Sequence, residues 1–322
     1  MDKVIDNENK IKLLVISGPT ASGKSSLAVK LAHVLGGEII SADSMQVYRG
    51  MDIGTAKVTQ DEMDGIPHHM LDIADPEENF NIAQYTDAAK ACIQDISSRG
   101  RLPIVAGGTG FYIHALVYDT IFSEEGDSNK IVRSELEALS REKGAQFMWE
   151  LLKAEDPVSA ENIHPNNQKR VIRALEYLRL TGQKLSEHNC EQKSRSSPYD
   201  FIYLAINKDR EKLYSDINRR VDMMMEQGLE EEVRRLYEQG CRPGMVSMQA
   251  IGYKELMEYI EGKCSKDEAV ETIKLESRRY AKRQMTWLRH ERDVNWLDGA
   301  DQDTALDIIR ERWPDIVNTA VT

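Results

Sequence analysis

Ile11-Lys12-Leu13-Leu14-Val15-Ile16-Ser17 runs without a break into Gly18-Pro19-Thr20-Ala21-Ser22-Gly23-Lys24-Ser25, and that join decides the fold. The first seven residues are an apolar, β-branched run of the kind buried on both faces of a parallel sheet. The next eight match G-x-x-x-x-G-K-[ST]. Leu27, Ala28, Leu31, Ala32 and Leu35 then recur at helical spacing until Gly36-Gly37 ends the helix. A strand before and a helix after give the motif its meaning. Glycines let backbone N–H groups curl around phosphate oxygens, and the helix N-terminus adds its positive dipole end. Lys24 supplies a point charge to the terminal phosphate, and the Ser25 hydroxyl is placed to coordinate magnesium. The loop identifies phosphates only: kinases, GTPases, ATPases and transferases with diphosphate leaving groups all use it.

Working outward, 38–42 reads as a second strand with Asp43 at its C-terminal end. A helix over 82–99 is ended by Gly100, and a third strand at 103–106 runs into Gly107-Gly108-Thr109-Gly110. This alternation predicts a doubly wound α/β sheet with ligand loops at the strand ends. From about 119 the pattern turns helical over 130–190, with Pro157 and Pro165 marking helix starts. The polar stretch 187–199 reads as a connector, 201–206 as a strand again, 209–292 as mainly helix, and 313–322 as peripheral. The expected fold is α/β: a P-loop NTPase-like parallel-sheet core with a helical C-terminal part over 1–118 and 201–322, carrying an all-helical insertion domain at 119–200.

Composition narrows the class. The chain has 322 residues, 41% of them apolar, and a formal net charge of −12. That charge argues against indiscriminate nucleic-acid binding, which is dominated by phosphate contacts, and directs attention to local basic surfaces. The cysteines, Cys92, Cys190, Cys241 and Cys264, contain no C-x-x-C pair and read as reduced thiols. There is no apolar leader and no run of about 20 apolar residues, so no membrane association and a cytoplasmic location are expected. His68-His69 invites a metal reading, but adjacent histidines do not share a helix face and no second cluster accompanies them. A structural or capping role is expected.

Asp43 faces the ligand crevice if the sheet is as predicted. It has three candidate roles: holding magnesium through water, acting as general base, or capping a helix. Position alone does not choose among them.

Taken together, Gly18–Ser25 and the long stretch Asp43-Ser44-Met45-Gln46-Val47-Tyr48-Arg49-Gly50-Met51-Asp52-Ile53-Gly54-Thr55-Ala56-Lys57 closely resemble the bacterial tRNA dimethylallyltransferases, also called isopentenyl-tRNA transferases. Gly107 to Tyr112, Asn166 to Glu176, Ile251-Gly252-Tyr253 and Ala281 to Arg289 match further signatures, so the resemblance runs from about 11 to 297. It implies transfer of a dimethylallyl group from dimethylallyl diphosphate to the exocyclic amine of the adenosine just 3′ of a tRNA anticodon, with diphosphate released. The loop Gly18, Pro19, Thr20, Ala21, Ser22, Gly23, Lys24, Ser25 would then grip a prenyl diphosphate rather than ATP. By resemblance, Thr20, Lys24 and Ser25 with magnesium neutralise the leaving group. Arg220 matches an arginine that contacts diphosphate, with Arg219 as the adjacent alternative, and Asp43 matches the residue that takes the amine proton. The chain ends without the zinc finger of eukaryotic members, which favours the bacterial form.

A base in a stacked anticodon loop must be extruded to react, and loop bases and backbone shape carry RNA specificity. Residues 274–292 hold Lys274, Arg278, Arg279, Lys282, Arg283, Arg289 and Arg292 against Glu276 and Glu291, with Tyr280 and Trp287 interleaved. Without the resemblance this would read as an ordinary solvated helix face. Lys169 and Arg173 share a helix face, beside Arg170, opposite an apolar stripe of Val171, Leu175 and Leu178. The resemblance places tRNA contacts at Asp43, Ser44, Met45 and Gln46, at Lys169, Arg170, Val171, Ile172 and Arg173, and at Gln249, Gly252 and Tyr253. Thr109 and Arg133 also match contact positions, and Arg279, Lys282 and Arg283 lie on the basic stretch. The expected partners are a tRNA anticodon stem-loop and dimethylallyl diphosphate, the cofactor magnesium, and the active form a monomer.

Three rivals use a similar loop. A small-molecule or nucleotide kinase would transfer phosphate from ATP. A nucleotide switch would need N-K-x-D, which Asn207-Lys208-Asp209 imitates one residue short. In a prenyltransferase acting on free adenine nucleotide the insertion and basic helix would have less purpose.

Overall fold

In the computed structural model, which describes residues 10–120 and 127–318, the chain forms two compact units. One runs to Val117 and resumes at Ser197; the other spans Tyr118–Ser196. These boundaries lie within a few residues of those read from the sequence.

The first unit begins β1 (Lys12–Ser17), α1 (Lys24–Leu35), β2 (Gly37–Ser41), α2 (Gln60–Met63), β3 (His68–His69), α3 (Ile82–Ser98), β4 (Leu102–Gly107) and α4 (Gly110–Val117). The second unit holds α5 (Asp127–Glu155), α6 (Pro157–Asn162), α7 (Gln168–Thr181) and α8 (Leu185–Ser194). The first unit then resumes with β5 (Asp200–Asn207), α9 (Arg210–Glu226), α10 (Leu229–Glu238), α11 (Tyr253–Ile260), α12 (Lys266–His290), β6 (Val294–Asp298), α13 (Gln302–Arg312) and α14 (Pro314–Asn318).

The strands form one parallel sheet in the order β3-β2-β4-β1-β5-β6. β1, β2 and β4 are buried on both faces, as continuous apolar runs require. Leu14 and Ile16 pack with Leu27, Leu31 and Ile309 on one face, while Leu13 and Val15 alternate to the other. A second core joins Tyr48 and Met51 to α9, α10, α11 and α12.

The helical unit has its own core of Leu136, Met148, Leu152, Val171 and Leu175. α5 is interrupted at Gly144, whose φ is 83°. Asp156 caps α6 and accepts bonds from Ser159 and Ser186, both backbone N–H and hydroxyl in each case.

Several expectations are corrected. The 187–199 connector is helical as far as Ser194, as α8. Pro157 opens α6, but α7 starts at Gln168 behind its cap Asn167, beyond Pro165. The strand β6 carries no sustained apolar periodicity in sequence, and only Leu297 of its five residues is buried. The 313–322 segment is not peripheral at its start. Trp313 is buried in the main core, and its Nε1 donates to Asp200 Oδ2 at 2.8 Å, while Arg312 donates to Oδ1 at 2.6 Å. His68 and His69 form the edge strand β3; His69 Nε2 lies 2.8 Å from Glu38 Oε2, a structural role.

Candidate active site

The loops after β1, β2 and β4 meet α9 and α12 around a cavity of about 320 Å³, lined by Thr20, Lys24, Ser25, Asp43, Ser44, Met45, Gln46, Gly107, Arg220, Gln249, Gly252, Tyr280, Arg283 and Gln284 among others. It sits at the carboxyl ends of parallel strands, where such sheets bind ligands.

The phosphate loop is held by a side chain of the cavity wall. Thr20 N donates to Gln284 Oε1, and Gln284 Nε2 donates to Gly108 O, both at 2.9 Å. Ser22 N donates to Pro19 O at 3.2 Å, and Gly23, with φ 93°, turns the chain into α1. The first N–H groups of α1 have no intrahelical acceptors and remain available to an anion. Gln284 is 7% exposed and ties this loop to the one after β4. It stands inside the family-like stretch Ala281 to Arg289, but glutamine in a basic helix carries no signal of its own.

The glycines after β4 serve close approach. A Cβ on Gly107 would lie 2.2 Å from Ala42 O, and one on Gly108 would lie 2.3 Å from Gln284 Nε2. Small residues there let the ends of β2 and β4 touch. Thr109 N donates to Ala42 O at 3.1 Å, and Thr109 Oγ1 accepts from Ser44 N at 3.1 Å.

Asp43 begins no helix, so the capping role is removed. Its Oδ1 accepts from Met45 N at 3.0 Å in a turn, and its charge acts on Lys24, Arg220 and Tyr280. Burial, with Asp43 adding to it, pushes the Tyr280 phenol up to about 12, so it stays protonated.

Lys24 and Arg220 are the decisive pair. Burial, then the nearby Arg220 charge, lowers the Lys24 pKa to about 8, against the pull of Asp43. Burial also lowers Arg220, which Asp43 and Glu62 oppose. Among the described residues the Lys24 ammonium reaches Pro19 O alone, at 3.4 Å. Arg220 makes no hydrogen bond or ion pair among the described residues. Arg219, by contrast, is 73% exposed and pairs with Asp216 at 2.7 Å. Of the two arginines left open by the sequence, Arg220 is the one on the cavity. Two desolvated cations without a carboxylate pair are costly, and an anion between them relieves that cost.

The Asp43–Lys57 stretch owes its specificity to scaffolding. The Glu232 carboxylate accepts from Asp52 N and Ile53 N at 3.0 Å, Gly54 N at 3.2 Å and Tyr253 OH at 2.5 Å. Lys57 Nζ donates to Tyr48 O, Asp52 and Asp72. Gln46 lines the cavity while its Nε2 donates to Thr55 O and Ala56 O.

Some predicted contact residues lie elsewhere. Gly18, Pro19, Ala21, Ser22 and Gly23 shape the loop but do not line the cavity. Tyr253 is fully buried on Glu232, so its side chain meets no partner, although Gly252 does face the cavity. Val171 and Ile172 are 0% and 7% exposed in the helical unit's core, which corrects their reading as contact residues: their apolar side chains hold α7 in place. Lys169 and Arg170 are exposed, and Arg133 and Arg173 share the buried Glu176 at 4.0 and 3.0 Å. On α12, Lys274 pairs with Asp222 and Arg278 bonds Asn218, so these two serve packing. Arg279 pairs with Glu276, Lys282 is exposed, and Arg283 lines the cavity over the Tyr280 ring. Asn207-Lys208-Asp209 is no base-reading motif: Asp209 caps α9 by accepting from Glu211 N and Lys212 N.

Comparisons with known proteins agree with one another. The family model of IPP transferases matches residues 46–291. A tRNA dimethylallyltransferase of Lachnoclostridium phytofermentans is 50% identical over 299 residues, 93% of this chain and 95% of that one. One of Bacillus cytotoxicus is 50% identical over 307 residues, 95% of this chain and 96% of its own. Among solved structures, a tRNA isopentenylpyrophosphate transferase of Bacillus halodurans aligns with a TM-score of 0.70 at 45% identity, covering 97% of this chain and 98% of that chain. A eukaryotic dimethylallyltransferase acting on tRNA gives a TM-score of 0.75 at 31% identity, covering 94% of this chain and 77% of that chain.

Proposed function

We propose the following for this chain, which belongs to the IPP transferase family: it is a tRNA dimethylallyltransferase that joins the dimethylallyl group of dimethylallyl diphosphate to the exocyclic amine of the adenosine 3′ of the anticodon. The observation that carries this reading is that Lys24 and Arg220, neither in an ion pair among the described residues, line one cavity with Asp43.

In the reaction the amine nitrogen bonds the allylic carbon as the carbon–oxygen bond to diphosphate breaks. The bonding pair leaves on the diphosphate oxygen. Lys24, Arg220 and the α1 N-terminus face that growing negative charge, as differential stabilisation of a transition state requires. The amine proton passes to an Asp43 carboxylate oxygen. Thr20, held by Gln284, lines the diphosphate side of the cavity.

The donor set fits magnesium that arrives with the diphosphate. Ser25 and Asp43 offer hard oxygens on the cavity, and no cluster of three or more His, Cys, Asp or Glu forms a cage among the described residues. Magnesium held mainly by substrate phosphates and water needs little more. Ser25 would hold it, and it would supply further charge neutralisation to the leaving group.

The tRNA loop meets Ser44, Met45, Gln46, Thr109, Gln249, Gly252 and Arg283 around the cavity, with Arg279 and Lys282 on α12. Lys169, Arg170, Arg133 and Arg173 of the helical unit take the RNA backbone. The active form in this reading is a monomer. No helix among the described residues is long and apolar enough to cross a membrane, and a tRNA substrate suits the cytoplasm.

Incubation with labelled dimethylallyl diphosphate, magnesium and unmodified tRNA, with ATP and AMP as rivals, puts label in tRNA. Phosphate transfer from ATP with no prenylated RNA overturns the reading.

The pH dependence follows from Lys24. Its charged form attracts diphosphate, and in the free protein that charge is lost as pH rises through about 8. The Kd for pyrophosphate, measured by calorimetry, is expected to climb above that pH toward about tenfold per unit. In Lys24→Met the slope disappears.

A further inference from the structure

Lys208 lies outside the cavity, just past the C-terminal end of β5, in a motif that the proposed reaction leaves without a role. Its ammonium donates to the Ala21 carbonyl, the tip of the phosphate loop, at 2.9 Å, and pairs with Asp216 Oδ2 at 2.6 Å. Both side chains are largely withdrawn from water, at 18% and 17% exposure. Ala21 is an alanine with φ 60°, in the left-handed region that L side chains rarely adopt. Its methyl group packs against the cluster of Leu213, Ile217 and Ala281.

Asp216 stands on α9 one turn before Arg220, so the two share a helix face. A single ammonium thus joins three elements: the loop that carries Lys24, the helix that carries Arg220, and the end of β5. We infer that Lys208, braced by Asp216, is a positioning residue that holds the two cationic arms of the site in place and so sets the affinity for the diphosphate group. This rests on the diphosphate reading of the cavity.

The physical argument is preorganisation. With its tip carbonyl fixed outward, the loop keeps the left-handed turn at Ala21, and its inner N–H groups need no reordering when an anion binds. Without Lys208 the tip relaxes and binding must order it again. Asp216 keeps a second partner, Arg219, at 2.7 Å, so loss of Lys208 does not strand a bare carboxylate.

The test is Lys208→Met, with Lys208→Arg and Asp216→Asn beside it. Magnesium pyrophosphate binding is measured by calorimetry, steady-state transfer with both substrates, and the unfolding temperature of the free protein. Lys208→Met raises the pyrophosphate Kd and the KM for dimethylallyl diphosphate about tenfold, while kcat and the KM for tRNA stay within about twofold. Lys208→Arg, which keeps a donor, recovers most of the affinity. The double variant Lys208→Met/Asp216→Asn binds no worse than Lys208→Met, because the two act as one unit. A Lys208→Met protein that binds pyrophosphate within about twofold of wild type, whatever its unfolding temperature, overturns the positioning role. Wild-type protein that binds no pyrophosphate overturns the diphosphate reading itself.

Discussion

Asp43→Ala lowers the rate of dimethylallyl transfer about a thousandfold and leaves tRNA affinity within about twofold. The adenine amine is a weak nucleophile whose proton becomes acidic only as the new carbon–nitrogen bond forms. A carboxylate within reach at that moment supplies the acceptor, and Asp43 is the carboxylate on the cavity beside both cations. Asp43 also holds its own turn through Met45 N, so alanine alone would mix two effects. Asp43→Asn separates them: the amide oxygen still accepts from Met45 N, yet the group no longer takes a proton. Both variants should fall to similar rates under single-turnover conditions. An asparagine variant within about tenfold of wild type would reassign Asp43 to shaping the turn.

Lys24→Met is expected to abolish most transfer and yet to stabilise the free protein. Loss of one preorganised donor to a developing anion costs about a hundredfold to a thousandfold in kcat. Stability moves the other way. The Lys24 pKa falls from 10.5 to about 8 in the folded chain, so folding disfavours the charged form. That cost is fully present below about pH 8 and fades as pH rises toward the unfolded value. Because the Lys24 side chain is only partly withdrawn from solvent, it amounts to about 2 kcal/mol at pH 7. Denaturant unfolding at pH 7 should therefore show Lys24→Met above wild type, with the gap closing toward pH 10. Saturating magnesium pyrophosphate should reverse the order, since it stabilises only the protein that binds it. A less stable Lys24→Met protein at pH 7 would mean that the lysine is already compensated without ligand.

What the sequence disclosed follows the range of the forces involved. β1, its glycine loop and α1 are contiguous, so periodicity and glycine placement were enough to read them. The position of Asp43 at the end of a strand is legible in sequence, but the turn after β2 that excludes a helix-cap role depends on the folded loop. Gln284 could not have been found by pattern: its partners, Thr20 and Gly108, are brought to it by the sheet and α12. The same holds for Glu232, whose bonds to Asp52, Ile53 and Gly54 explain why that stretch is so distinctive. Trp313 read as terminal and peripheral because nothing nearby in sequence shows that Asp200 waits for it. The tRNA-facing assignments on α7 mixed surface and core because resemblance marks a segment, whereas burial divides it residue by residue.

The strand order has a consequence for the chain as it is made on the ribosome. β1 lies at the middle of the sheet, paired on one edge with β4 and on the other with β5. β4 ends at Gly107, but β5 emerges only after the whole Tyr118–Ser196 unit has been synthesised. At bacterial elongation speeds that interval is on the order of ten seconds. For that time a strand whose four central residues, Leu13 to Ile16, are all apolar has one open edge, the kind of template on which neighbouring nascent chains pair. The helical unit, with a core of its own, can fold meanwhile, before β5 arrives to cover the open edge of β1.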